Sequence, residues 1–474
     1  MTMKRFLLAT ISALVAFSSH AEVKLPAFFS DNMVMQRNAQ APIWGKAKPG
    51  KTVKIKTSWN GKTYSVQAAN DSTWSAKIST PDAGGPYEIS LSDGKETLLK
   101  NVMIGEVWLC SGQSNMEMPM KGYKNQPVEG AGDAILHSRN PQLRLFTVKR
   151  CASLVPQNDV KGHWDEAQPE SVREFSATAY YFGHLLQELL NVPVGLIVTS
   201  WGGSACEAWC KAEWMKPFEK VVIPTSQEQV NKTQQRCPTA LFNGMLHPLI
   251  GLRIAGAIWY QGEDNWPRYN YYADLFSNMV KGWREEWQQG DFPFYYCQIA
   301  PYDYTRITAK DETPVNSAYL REQQFKAEKM IPNCGMAVLL DAGLEEGIHP
   351  TKKKTAGERL ARLALSKTYG IKGIPAESPK YDHFELKGDT IVCFFRDADM
   401  WINCNGHFES KNFEIAGSDR HFYTARAWIY RSKMYVKSDS VPNPVAVRYA
   451  FKDYVVGDVF SEDLPASSFR TDEW

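Results

Sequence analysis

The run Val107-Trp108-Leu109-Cys110 stops abruptly at Ser111-Gly112-Gln113-Ser114-Asn115-Met116. A buried strand that ends in small and polar residues delivers a serine to the rim of a sheet. Such a serine is a nucleophile when a base and anion-stabilising donors converge on it. Ser114 is the first candidate. Ser204, in Trp201-Gly202-Gly203-Ser204 after a second apolar run, is its rival. The plain reading of either is a capping or turn serine. The G-x-S-x-G elbow of α/β-hydrolases is absent, because Met116 stands where its second glycine belongs.

His349 is the best base candidate. It lies in Glu345-Glu346-Gly347-Ile348-His349-Pro350, just past an apolar run that ends at Asp341. Pro350 biases His349 away from helix and onto a loop at the carboxyl side of that strand, the edge where open α/β sheets bind ligands. Glu346 or Glu345 would orient the ring and stabilise its charged form. The plain alternative is a surface acidic loop with a capping histidine. His247 also precedes a proline but follows apolar Leu246 and has no carboxylate nearby, which suits a structural histidine. A histidine base implies activity that falls below pH roughly 6–7.

Two more strand ends carry glycine with polar residues: Trp201-Gly202-Gly203-Ser204, and Gln261-Gly262-Glu263-Asp264-Asn265. Glycines let backbone N–H groups approach a reacting oxygen, and Gln261 or Asn265 would add side-chain donors. Tight turns need glycine too, so the convergence of four polar strand ends counts for more than any one. Gly45-Lys46-Ala47-Lys48-Pro49-Gly50-Lys51-Thr52 fits the phosphate-loop pattern, but the residues after it alternate as a strand. A phosphate loop needs a helix there, so the match is a coincidence.

These residues need elements to position them. From about Ile104 the pattern alternates strands (104–110, 193–199, 253–260, 293–299, 335–341) with helices (177–190, 272–287, 316–330, 351–368). That order predicts a parallel sheet covered by helices. Val194 to Val198 and Ile254 to Ile258 are nearly unbroken apolar runs, as in strands buried on both faces. Residues 22–100 read as a small β-sandwich, with strands at Thr52 to Ser58, Trp74 to Ile78 and Tyr87 to Leu91 and a hairpin turn at Asn60-Gly61. Residues 372–474 return to β, at Thr390 to Phe395, Ala427 to Tyr430 and Met434 to Val436. The expected organisation is therefore 22–100 β-sandwich, 101–371 α/β catalytic domain and 372–474 β-rich domain.

Bulk properties narrow the function. The 474 residues are 43% hydrophobic and 22% charged, an ordinary globular balance. Residues 1–21 resemble a secretory leader: Lys4 and Arg5, an apolar Phe6 to Phe17, then Ser19-His20-Ala21 as a small-x-small cleavage site. The expected location is periplasmic or secreted, with no membrane span. Losing Lys4 and Arg5 takes the formal charge from +2 to zero, which favours neither nucleic acid nor an anionic membrane. Nine cysteines at irregular spacing do not make a disulfide framework. Cys206 and Cys210 lack the second pair that a zinc site needs.

Taken together, the chain resembles the sialate O-acetylesterase family within the SGNH (GDSL-like) hydrolases. The matching blocks are Ser111-Gly112-Gln113-Ser114-Asn115-Met116, Ser200-Trp201-Gly202-Gly203-Ser204, Trp259-Tyr260-Gln261-Gly262-Glu263-x-Asn265 and Ile348-His349-Pro350. The closing Phe469-Arg470-Thr471-Asp472-x-Trp474 is also similar. The likeness runs from about Leu25 to the C-terminus.

The resemblance implies a three-layer α/β/α esterase domain with Ser114 as nucleophile and His349 as base. Oxyanion donors would fall on the Ser114 N–H, on Gly202 or Gly203, and on Gln261 or Asn265. The family's acid before its histidine is often Asp; here Glu346 keeps the acid-x-x-His spacing, and Glu263 is the second candidate. The expected reaction removes O-acetyl groups from sialic acid through an acyl-enzyme, using water and no metal or other cofactor. Acetylated plant polysaccharide such as xylan is the alternative substrate. A carbohydrate-binding protein without catalysis is the alternative of another class; the 12% aromatic content suits it, but the converging serine, histidine and glycine blocks do not.

Overall fold

The computed structural model describes residues 23–398 and 400–474; the leader-like residues 1–21 lie outside them. The N-terminal strands are β1 (Val34–Gln36), β2 (Gln40–Lys46), β3 (Thr52–Thr57), β4 (Thr63–Gln67), β5 (Thr73–Ser79), β6 (Gly84–Ser92) and β7 (Glu96–Gly112). Alternation along β3 buries Val53 and Ile55 and exposes Lys54 and Lys56, which is what one covered sheet face demands. The phosphate-loop look-alike is the turn between β2 and β3, so no helix follows it.

β7 has 17 residues and serves two sheets. Its first half pairs with β6 and β1 in the sandwich, and its second half lies at the centre of the α/β sheet. The expected division at 100/101 falls inside this one strand.

The α/β part adds β8 (Asn140–Thr147), β9 (Trp164–Ala167), β10 (Val194–Ser200), β11 (Gly256–Tyr260), β12 (Phe294–Cys297) and β13 (Cys334–Ala337). Their order is β13-β12-β11-β7-β10-β8-β9, parallel throughout except for the edge strand β9. Strands β8 and β9 have no counterpart among the expected strands. Buried Arg144 interrupts the apolar run of β8; its guanidinium donates to the carbonyls of Pro141 and Asn32 and to Asn101 Oδ1.

Side chains alternate across the central strands into two cores. Val107, Leu109, Ala257 and Trp259 face one core, shared with the helices Tyr272–Trp287 and Ala318–Met330. Trp108, Cys110, Ile258 and Tyr260 face the other, shared with the helices Ala177–Leu190 and Lys353–Leu363. This is a three-layer α/β/α domain. The helix Ala177–Leu190 starts where Ser176 Oγ accepts from the Ala179 N–H and ends at left-handed Asn191. The same Ser176 hydroxyl donates to the Met116 carbonyl, which ties the helix start to the Ser114 segment.

The C-terminal residues form a five-stranded and a four-stranded sheet. They dock on the α/β part through Gln298 to Ser467, Arg470 to Glu322, and Arg321 to Ser468 and Lys452. All nine cysteines are free. No described helix is long and apolar enough to cross a membrane.

Candidate active site

The chain leaves β7 toward β8 on one side and later returns to place β11 on the other, so β7 lies at a topological switch point. Gly112 ends β7 with φ +140°, and a Cβ there would stand 2.1 Å from the Tyr260 carbonyl oxygen. Only glycine fits this approach. The Gln113 N–H then donates to Tyr260 O at 2.9 Å, and the chain turns into the short helix Ser114–Glu117. Ser114 is thereby set at the carboxyl edge of the sheet.

A cleft of about 410 Å³ opens over that edge, lined among others by Ser114, Gly202, Gly203, Glu263 and His349. Gly202 packs against the serine: a Cβ on it would lie 3.3 Å from Ser114 Cβ. Among the described residues no hydrogen bond links Ser114 Oγ to His349. The His349 Nδ1 instead meets Gln126 Oε1 at 2.5 Å, and the Tyr123 ring stands edge-on to the imidazole with centroids 5.2 Å apart. Burial, and then the Lys353 ammonium, push the His349 pKa down to about 4. The ring is neutral at pH 7 and free to accept a proton.

Asn115 is the hub beneath these groups. Its Nδ2 donates to Glu263 Oε1 at 2.5 Å and to the Ile348 carbonyl at 3.1 Å. Its Oδ1 accepts from Lys353 Nζ at 2.6 Å, and that ammonium also donates to the Pro350 carbonyl at 2.9 Å. The loop is thus clamped on both sides of His349. Lys353 is fully buried, and desolvation draws its pKa down to about 7. Glu263 is raised, mainly by burial, and its Oε2 has no partner among the described residues.

Several expected residues sit elsewhere. Glu346 is 81% exposed, reaches Arg306 at 3.5 Å and does not line the cleft. The acid-x-x-His spacing that the resemblance implies is present, but on this loop it turns the carboxylate outward to Arg306. Gln261 and Asn265 are bonded within the fold. Gln261 Nε2 donates to Ser204 O and Asn265 Oδ1, and Gln261 Oε1 accepts from Tyr272. Asn265 Nδ2 donates to Glu207, and its Oδ1 also accepts from the Cys206 N–H. Both side chains are fully buried, and neither lines the cleft.

Ser204 is buried, takes the Trp209 indole N–H at 3.0 Å and is no longer a rival. His247 Nδ1 lies 2.9 Å from the Gln157 carbonyl, a structural contact.

The cleft also contains residues that carry no motif. Glu117 pairs with both ends of the Arg150 guanidinium at 2.7 Å and accepts from the Gly202 N–H at 2.8 Å. Arg236 donates to Asp264 Oδ1 at 2.6 Å. Arg253 and Arg268, which flank the third block, do not line the cleft. Arg150 comes from an irregular segment and Arg236 from the one-turn 3-10 helix Gln234–Arg236, both too short for periodicity to mark an inward side chain.

A parallel α/β/α sheet with this set at its switch point has the architecture of an ester hydrolase. The comparisons agree. The profile of a family described as carbohydrate esterase, sialic acid-specific acetylesterase, matches residues 104–366. The Homo sapiens sialate O-acetylesterase is 28% identical over 90% of this chain and 87% of its own. That of Mus musculus is 26% identical over 87% and 85%. The crystal structure of a carbohydrate acetylesterase from Xanthomonas citri superposes with a TM-score of 0.86 at 32% identity, covering 96% of this chain and all of that one. The protein is a carboxylic ester hydrolase. More narrowly, the chain belongs to the sialic acid-specific acetylesterase family of carbohydrate esterases.

Proposed function

We propose that the protein removes O-acetyl groups from sialic acid, with Ser114 as nucleophile and His349 as general base. The observation that carries this reading is the shared cleft, in which a serine at the end of β7, a neutral histidine and the Gly202-Gly203 turn face one space. His349 Nε2 takes the Ser114 proton as Oγ attacks the acetyl carbonyl. The Ser114 N–H and the Gly202-Gly203 turn supply the oxyanion donors, and Glu117 must release the Gly202 amide for that amide to take part. The sugar hydroxyl leaves with the proton from His349. Water then attacks the acetyl-enzyme, passing its own proton to His349; the intermediate expels Ser114 Oγ, which takes that proton back from His349, and acetate is released. The relatives named sialate O-acetylesterase support this substrate. The leader-like residues 1–21 support action in the periplasm or outside the cell.

A second reading has its own support. Three carboxylates in the cleft (Glu117, Glu263, Asp264) face two guanidiniums (Arg150, Arg236). Both guanidiniums are already paired, which leaves no free cation among these five groups for a substrate carboxylate. A neutral acetylated polysaccharide such as xylan suits that balance better.

Acetate release from 9-O-acetyl sialic acid and from acetylated xylan, by wild type and Ser114→Ala, tests both. Ser114→Ala is expected to lose at least about 10³-fold in kcat. Release from sialic acid alone upholds the first reading, and release from xylan alone upholds the second. Full activity in Ser114→Ala refutes the mechanism.

A further inference from the structure

We propose that Gln126, and not a carboxylate, is the positioning residue that orients the His349 ring for catalysis. This rests on Ser114 and His349 acting as proposed above. The amide oxygen of Gln126 can only accept, so Nδ1 carries the hydrogen and Nε2 presents its lone pair toward the cleft. That is the tautomer a base needs. With the amide turned over, Nε2 would hold the proton and could take none from serine.

The loop that carries Gln126 is built to hold it still. Tyr123 and Gln126 exchange backbone hydrogen bonds of 3.0 Å in both directions. Gly122, at φ +79°, lets the Gln126 carbonyl come to 2.4 Å of where a Cβ would stand. The loop is fastened before the turn by Met120 N–H to Phe175 O and Lys121 N–H to Arg173 O, and after it by Glu129 N–H to Thr351 O. The last bond joins it directly to the His349 segment. None of the three sequence candidates for the acid competes: Glu345 is exposed, Glu346 is exposed against Arg306, and Glu263 Oε1 is held by Asn115.

A neutral amide orients the ring but does not stabilise an imidazolium as a carboxylate does. The other charged or titratable groups around the ring are Lys353 from the helix beneath, Tyr123 from the Gln126 loop, and Glu117, Arg150, Arg236, Glu263 and Asp264 around the cleft. Replacing the amide by a carboxylate therefore raises the pH at which His349 takes up a proton.

The test uses the full chain and an aryl acetate, with kcat, KM and pH–rate profiles for wild type, Gln126→Leu, Gln126→Glu and Glu346→Gln. Gln126→Leu should lower kcat by about 10–100-fold and leave KM within about twofold, because the ring loses its tautomer control. Gln126→Glu should retain activity at pH 8 and move the acid limb up by at least about one pH unit. Three results overturn the proposal: a Gln126→Leu enzyme with unchanged kcat, an unmoved acid limb in Gln126→Glu, or a collapse in Glu346→Gln alone. Should Gln126→Leu fail to fold, the Gln126→Glu profile decides. Ser114→Ala is read separately: its survival refutes the nucleophile whatever Gln126 does.

Discussion

Two polar clusters occupy the ends of adjacent strands in one sheet, and they are built from the same residue types. At the end of β11, Gln261 and Asn265 have every side-chain polar atom paired, to Ser204, Cys206, Glu207, Tyr272 and one another. At the end of β7, no partner is described for the Ser114 hydroxyl, and Glu263, which the loop after β11 brings into the same cleft, keeps a bare Oε2. A saturated buried network holds a shape, because removing any member strands the others. An unsaturated set is where a substrate finds partners. Motif and spacing do not separate the two cases; the count of satisfied atoms does.

The β11 cluster loses most when Asn265 is removed. Asn265→Ala strips the Cys206 N–H and Glu207 Oε2 of their described partners in a dry region. We expect a loss of about 3 kcal/mol, read as a lower urea midpoint with unchanged slope. The KM of molecules that remain folded should move little. A stable Asn265→Ala enzyme with collapsed kcat would put Asn265 in the chemistry after all and erase the contrast.

The cleft side is sharpened by pH. A histidine in water titrates near 6.5, and His349 is drawn down to about 4 by burial and Lys353. As the proposed base it acts in its neutral form, so kcat/KM should stay level from pH 8 to about 5 and fall as pH drops through about 4. This replaces the limb at roughly 6–7 that the sequence suggests. Stability follows the same sign. Between about 4 and 6.5 the unfolded chain binds the proton that the native ring refuses, so this group makes the fold less stable as pH falls across that window. A midpoint near 6.5 would mean that a carboxylate reaches the ring during turnover.

What was legible in the sequence follows a physical line. The helices Ala177–Leu190 and Tyr272–Trp287 match their expected bounds, because long amphipathic segments with clear stops state their own period. β8 was hidden because a buried arginine with local carbonyl partners looks like a surface residue. Ser114 could be singled out because it sits just past an apolar strand, and His349 because it follows an apolar run and precedes a proline. Gln126 could not, because Lys124-Asn125-Gln126-Pro127 reads as any turn, and its role depends on a hairpin folding back over a segment more than 200 residues away. Glu346 shows the converse: the acid-x-x-His spacing of the resemblance is present, yet this loop turns the carboxylate to Arg306.

The smallest expected effect is at His247, a histidine before a proline like His349. Its Nδ1 meets the Gln157 carbonyl, and its ring packs at 6.2 Å on Phe242. His247→Ala should cost about 1 kcal/mol, the worth of one hydrogen bond and some packing. The pH–rate profile should not change, because His247 does not line the cleft. Two histidines that each precede a proline would then differ in what lies across from them: a fixed backbone carbonyl for one, the Ser114 cleft for the other. A shifted acid limb in His247→Ala would show that both rings belong to one titrating system, and the division between holding and reacting clusters would have to be drawn elsewhere.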